Sequence, residues 1–169
     1  MRLAFLLPLL LLPVALLLSG GFRPAPPASV FRRLHFDEVV AYDYDGHKGP
    51  DLLIVRADGQ LASTVSARQV LSPVQVERLL QTLESRASYA AYGAACFEPH
   101  LGVVFYRQQR VVGHVSLCLS CHSLNSSLKI PARRLPGGEQ AQGFSAAGLR
   151  PLEQLCQELS FGHCSSGEE

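Results

Sequence analysis

The chain has 169 residues, of which 47% are hydrophobic, with 15 Lys and Arg against 14 Asp and Glu. So even a balance leaves no field to hold phosphate backbones or an anionic lipid surface, and the basic side chains cluster no further than Arg32-Arg33 and Arg133-Arg134. Nucleic acid is therefore not expected as a partner, and a membrane only through the N-terminal segment.

That segment sets the compartment. Arg2 is followed by an apolar run over residues 3–18, interrupted by Pro8 and Pro13 and ending at Ser19, Gly20 and Gly21. Positive charge, apolar stretch and small residues in this order are the layout of an export signal. The run is shorter than the roughly 20 apolar residues that span a bilayer, so residues 1–21 read as a signal peptide cleaved after Gly21. The alternative is an uncleaved N-terminal anchor, lengthened by Gly20, Gly21 and Phe22. Both place the remainder outside the cytoplasm, in a periplasmic, cell-surface or secreted location. Phe22 stands where lipid attachment would need a Cys. Residues 22–29 form a Pro-rich linker, and residues 30–169 are long enough for one domain with a substantial core.

Five cysteines follow the signal: Cys96, Cys118, Cys121, Cys156 and Cys164. Outside the cytoplasm disulfides are the default, and an odd count leaves at least one thiol free, paired with another chain or bound to something else.

In chain order, apolar positions at Leu34, Phe36, Val40, Tyr42 and Tyr44 have the two-residue period of a half-buried strand, with Glu38 as the exception. Asp45-Gly46 and Gly49-Pro50 mark a turn. Residues 52–55 read as a strand covered on both faces, closed by a turn at Asp58-Gly59, and a third strand is expected within residues 61–70. Ser72, Pro73 and Gln75 then supply an N-cap, a first helical position and the return arm of a capping box. Val76, Leu79, Leu80 and Leu83 share one face of the helix that follows. Residues 86–95 read as a loop.

Residues 101–106 and 111–119 form a hairpin whose register follows from burial. A two-residue loop at Gln108-Gln109 pairs Phe105 with Val112 and Val103 with His114, mixing polar and apolar groups on each face. A three-residue loop through Arg110 places Leu101, Val103, Phe105, Val111, Val115 and Leu117 together, and burial favours it. His100, Val104, Tyr106, His114 and Cys118 then share the other face, with Cys118 across from His100. Residues 124–130 are expected as an edge strand and 131–143 as a loop. A last helix starts near Ser145, with Phe144 and Leu149 as a hydrophobic staple and Leu152, Leu155, Cys156 and Leu159 on its apolar face. Pro151 either kinks this helix or marks its first turn, and Gly162 is its expected stop.

The sharpest motif is Cys118-Leu-Ser-Cys121-His122, the Cys-x-x-Cys-His spacing by which two thioethers and a His ligand hold haem c. It ends a β-patterned segment instead of opening a helix, and the only Met is Met1, inside the signal. A second axial ligand would have to be His35, His47, His100, His114 or His163. Cys96, His100, Cys118 and Cys121, with His122 beside them, also have chelating spacings for a structural zinc. A disulfide from Cys96 to Cys118 or Cys121 is the reading favoured by the compartment. Thiol redox chemistry at the Cys-x-x-Cys pair lacks the βαβ surroundings of a thioredoxin. Cys156, on an apolar helix face, is expected in the core, near enough to Cys164 to bridge if the tail folds back.

Weaker signals remain. Asp43, Asp45 and Asp51 hint at a calcium loop, but Gly46 is misplaced for an EF-hand and Ile54 stands at its acidic twelfth position. His163 reads as a solvated tail residue. No nucleophile elbow or metalloprotease helix is present.

The order Cys96-Phe-Glu-Pro99, Gly102-Val-Val-Phe105-Tyr106, Gly113-His-Val, Cys118-x-x-Cys121 resembles that of a group of small exported bacterial proteins of unknown function. The likeness runs from about Leu71 through the last helix and includes Phe144-Ser145 and Leu155-Cys156. In that group the Cys-x-x-Cys is typical and the following His is not. Many of its members look lipid-anchored, from which this chain departs, and the resemblance implies no activity.

The sequence therefore predicts an α+β fold, a mostly antiparallel sheet packed by two helices, with a structural or binding role toward an envelope or extracellular partner. No catalytic set can be assembled. Haem c on Cys118, Cys121 and His122, or zinc on Cys96, His100, Cys118 and Cys121, are the alternatives.

Overall fold

The computed structural model describes residues 29–47 and 49–164. Residues 1–21, read above as a signal, nearly all of the Pro-rich segment 22–29 and the last five residues lie outside the described part. Five antiparallel strands form the main sheet in the order β2-β1-β4-β5-β6, from β1 (Glu38–Tyr44), β2 (Val65–Val70), β4 (Leu101–Arg107), β5 (Arg110–Cys118) and β6 (Ser123–Ser126). A two-stranded ribbon joins β3 (Tyr89–Ala90) to β7 (Gly143–Phe144). Two helices, α1 (Pro73–Glu84) and α2 (Ala146–Leu159), contribute to the main core. This is the α+β arrangement the sequence predicts. Among the described residues no helix is long and apolar enough to cross a membrane.

Helix α1 starts as its sequence dictates. The Ser72 hydroxyl accepts from the Gln75 amide at 3.3 Å, and the Gln75 side chain accepts from the Ser72 amide at 3.0 Å. Two otherwise orphaned donors are thereby satisfied, each such cap contributing about 1 kcal/mol. Leu79, Leu80 and Leu83 are buried in the core. Helix α2 begins at Ser145, whose hydroxyl accepts from Gly148, and Phe144 and Leu149 are both buried on either side of that cap. Pro151 lies within the helix and not in its opening. The expected stop at Gly162 is displaced: Ser160, with φ of 54°, turns into the left-handed region, and its amide donates to the carbonyls of Cys156 and Gln157. This ends the helix early enough for Phe161 to fold back into the core.

The β4–β5 register combines both loop readings. Leu101 pairs with Leu117, Val103 with Val115 and Phe105 with Gly113, as burial requires. Beyond a shift between Phe105 and Tyr106, however, Tyr106 pairs with Val111 and Arg107 with Arg110. The loop is thus the two residues Gln108 and Gln109, both at positive φ (49° and 63°) as a tight hairpin turn of this hand requires. Val112 is the extra residue of a β-bulge. In consequence Val112, and not the expected Val111, packs against the core, and Val111 is exposed.

Strand β1 is buried on both faces after Glu38, more fully than its half-buried pattern suggests. Val39 and Ala41 join the main core with the helices, whereas Val40, Tyr42 and Tyr44 join a second cluster with Ile54, Val55, Ala62 and Val104. What covers this second face is the excursion between β1 and β2. The strand expected over residues 52–55 does not form. Gly49–Leu52 is a 3₁₀ turn, and only the single bridge of Val55 to Leu61 follows it. The run is apolar because it caps the sheet: the Ile54 amide donates to the Ser116 hydroxyl at 2.9 Å, and its side chain lies where a Cβ on Gly102 would stand. The loop expected over residues 86–95 contains a short 3₁₀ turn and β3, with Tyr89 stacked on Phe144 at 5.5 Å. The edge strand is shorter than expected, ending at Ser126.

Two outcomes follow from this packing. Gly102→Ala drives a methyl into Ile54, so urea unfolding is expected to show a loss of about 1–3 kcal/mol, the usual cost of overpacking. An unchanged midpoint would mean that the excursion is not seated on Gly102. His114, half-buried on β5, has an Nδ1 with no hydrogen-bond partner among the described residues, and burial holds its pKa below the ordinary 6.5. The unfolded chain therefore binds this proton more tightly than the folded one. Its contribution to stability is complete above about pH 6.5, declines as pH falls through that value, and levels off once the folded ring is also protonated. His114→Gln is expected to remove this part of the decline, and identical pH profiles for the two proteins would contradict it.

Candidate functional site

The Cys-x-x-Cys motif closes the β5–β6 hairpin. Cys118 ends β5 and pairs with Ser123, and the turn between them is closed by the His122 amide donating to Leu119 at 3.1 Å. His122 takes a positive φ of 52° to make this turn. The turn brings the α-carbons of Cys118 and Cys121 to 5.2 Å, within disulfide range, and the two are bridged. Both residues are shielded from solvent, at 0% and 1% exposure. The Cys121 amide donates to Cys118 Sγ at 3.1 Å, and the Ser120 hydroxyl lies 3.5 Å from the same sulfur.

Cys96 completes the cluster from a different part of the chain. Its Sγ stands 2.6 Å from Cys121 Sγ, yet the residue is exposed and carries a free thiol. The three cysteines meet in one cluster as expected, with the bridge between Cys118 and Cys121 and Cys96 at its side. Three backbone segments must crowd together to achieve this. The Ala94 amide donates to the Cys121 carbonyl at 3.4 Å, and the Phe144 amide donates to the His122 carbonyl. Gly93 and Gly143 leave the necessary room: a Cβ on Gly143 would lie 2.6 Å from the Tyr92 carbonyl oxygen and 2.8 Å from that of His122.

The histidines are distributed differently from the sequence expectation. The His100 amide donates to the Leu117 carbonyl, so His100 does border the end of β5. Its Nδ1, however, lies 3.3 Å from the Tyr44 carbonyl and 4.0 Å from the Asp45 carboxylate, and its ring stacks on His163 at 6.0 Å. His122 is exposed on the turn. Among the described residues no group of three or more His, Cys, Asp or Glu side chains is arranged to hold a metal ion.

A second cluster fastens the C-terminal end. Cys156 is buried in the core and bridged to Cys164, their α-carbons 5.9 Å apart. Asp43, buried in β1, accepts from the amides of Gly162 at 3.0 Å and His163 at 3.2 Å, and Ser66 Oγ lies 3.1 Å from its carboxylate. His163 is thus exposed, as a tail residue is expected to be, yet tied down to Asp43. Its Nδ1 lies 3.2 Å from Asp43 and 3.3 Å from Ser66. A proton relay through a serine, histidine and aspartate needs one ring nitrogen for each partner, and here a single nitrogen faces both, so the group anchors the tail and does not activate Ser66. The calcium reading of Asp43 and Asp51 ends in the same way, since Asp51 accepts from the Ser63 amide and hydroxyl at 2.7 and 2.6 Å. Sequence reasoning missed Asp43 as an anchor. The available signal was an acidic residue between Tyr42 and Tyr44 in an otherwise apolar strand, which must find donors if buried.

The crowding at the cysteines gives a direct test. Gly143→Ala is expected to cost about 1–3 kcal/mol in urea unfolding and to raise the rate at which iodoacetamide labels Cys96, because backbone atoms stand in the methyl's place and the segment carrying Cys96 must move. Wild-type stability and labelling would contradict the close approach of the three segments. No protein-family model, curated protein or solved structure matches the chain.

Proposed function

We propose that this is an exported, non-enzymatic domain with a structural or binding role toward an envelope or extracellular partner, its hairpin and C-terminal end fixed by disulfides. The observation that carries this reading is the placement of four cysteines in two bridged pairs, Cys118 with Cys121 and Cys156 with Cys164. Such pairs persist where thiols oxidise, which agrees with the export signal read from residues 1–21. The α+β frame spends its buried polar groups on anchoring: Asp43 holds the tail and Ser116 holds Ile54.

The haem alternative needs both sulfurs of Cys118 and Cys121 for thioethers and His122 for iron. The zinc alternative needs the Cys118–Cys121 bridge reduced before Cys96, Cys118 and Cys121 could all act as ligands, and it still needs a fourth ligand, for which His100 and His122 are the neighbours in sequence. Intact mass of the chain exported by a bacterial host that also carries haem-attachment machinery separates the three readings. The expected result is a mass lacking residues 1–21, lighter by the hydrogens of two disulfides and restored by reductant. A mass heavier by one haem, or native-spray retention of zinc with all three clustered thiols reduced, would replace this proposal with the corresponding alternative.

A further inference from the structure

A buried disulfide with an exposed free thiol against one of its sulfurs is more than a staple. We propose that Cys96, Cys121 and Cys118 form a thiol–disulfide relay, in which Cys96 is the exposed end through which dithiols exchange electrons with the buried Cys118–Cys121 pair. This goes beyond the structural role above and adds to the same hairpin a stoichiometric redox exchange.

The geometry supplies each part. Cys121 is the shared middle sulfur, bridged to Cys118 and 2.6 Å from Cys96 Sγ. Cys96 is exposed, whereas Cys118 and Cys121 are not, so an external thiolate meets Cys96 more readily than either bridged sulfur. The donors around the pair favour the sulfur that must leave: the Cys121 amide donates to Cys118 Sγ at 3.1 Å, and the Ser120 hydroxyl stands nearer to Cys118 Sγ, at 3.5 Å, than to Cys121 Sγ, at 4.0 Å. Hydrogen bonds from such donors favour a departing thiolate.

In the first step Cys96 loses its proton to solvent and its thiolate attacks Cys121 Sγ. The Cys96–Cys121 bond forms, the Cys118–Cys121 bond breaks, and the electron pair passes to Cys118 Sγ. This is an isomerisation that needs no oxidant or reductant. In the second step one thiolate of a dithiol attacks Cys96 Sγ, and Cys121 leaves as a thiolate. The dithiol's other thiolate then attacks its own bonded sulfur and releases Cys96. The dithiol ends as a disulfide, and the two electrons reside on Cys118 and Cys121 as thiols. The reverse sequence reoxidises the pair with an external disulfide.

The test follows reduction of the full exported protein by dithiothreitol, with samples quenched in acid, alkylated and mapped by mass. In Cys96→Ser, reduction of Cys118–Cys121 is expected to slow by at least about tenfold, because direct attack on a shielded bridge replaces attack at an exposed sulfur. Reduction of Cys156–Cys164 is expected to keep its wild-type rate, which reports that the fold is intact. Without reductant, iodoacetamide is expected to label Cys118 as well as Cys96 in the wild-type protein, and Cys118→Ser is expected to trap a Cys96–Cys121 bridge. Equal reduction rates in wild type and Cys96→Ser would overturn the relay. So would label confined to Cys96 in the wild-type protein, a measurement that stands even if either variant misfolds.

Discussion

The bulge at Val112 is the constraint on which the rest of the molecule depends. A tight two-residue turn at Gln108 and Gln109 alone would pair Val103 with His114 and carry polar groups into the core. The inserted residue absorbs the offset, so that Leu101, Val103, Phe105, Val115 and Leu117 all reach the helix-covered core. Because side chains alternate along a strand, loss of the insertion would turn Val115 and Leu117 away from the core while β4 stays held by β1. The same register delivers Gly102 opposite Ser116, which makes the notch and the hydroxyl that seat Ile54. It also ends β5 with Cys118 buried, where the following turn can fold Cys121 back upon it.

Local chemistry was legible where it acts over a few residues. Ser72-Pro73-Gln75 predicts the start of α1 because both capping partners lie within one turn, and Phe144-Ser145 predicts the start of α2 for the same reason. Burial alone selected the body of the β4–β5 register. The bulge was not legible, since turn and sheet impose conflicting spacings and only their combination shows that both are satisfied. Residues 52–55 misled in a specific way: an apolar run is what a covered strand needs and also what a capping segment needs. Ser160 displaced Gly162 as the helix stop because burial of Phe161 decides where the chain must turn.

The functional groups divide along the same line. Cys118 and Cys121 are related by a turn that their spacing announces, and Cys156 lies on a visible apolar stripe. Cys96 reaches Cys121 only because Gly93 and Gly143 let three backbone segments approach one another, which is a property of the assembled fold. Asp43 and His163 meet across 120 residues of chain with no local signal beyond the oddity of an acid in an apolar strand. Hydrogen bonds to a buried carboxylate, together with the Cys156–Cys164 bridge, thus fasten the C-terminal end, while the Cys118–Cys121 bridge occupies the hairpin end.

Cross-strand nuclear Overhauser contacts along β4 and β5 test the register most directly. Contacts between Val103 and Val115 and between Phe105 and Gly113, together with a contact between Tyr106 and Val111, are the result predicted, because only a bulge at Val112 permits all three. Contacts of Val103 with His114 and of Phe105 with Val112 would contradict it, and would remove the basis for placing Ile54, Cys118 and Cys121 where they are.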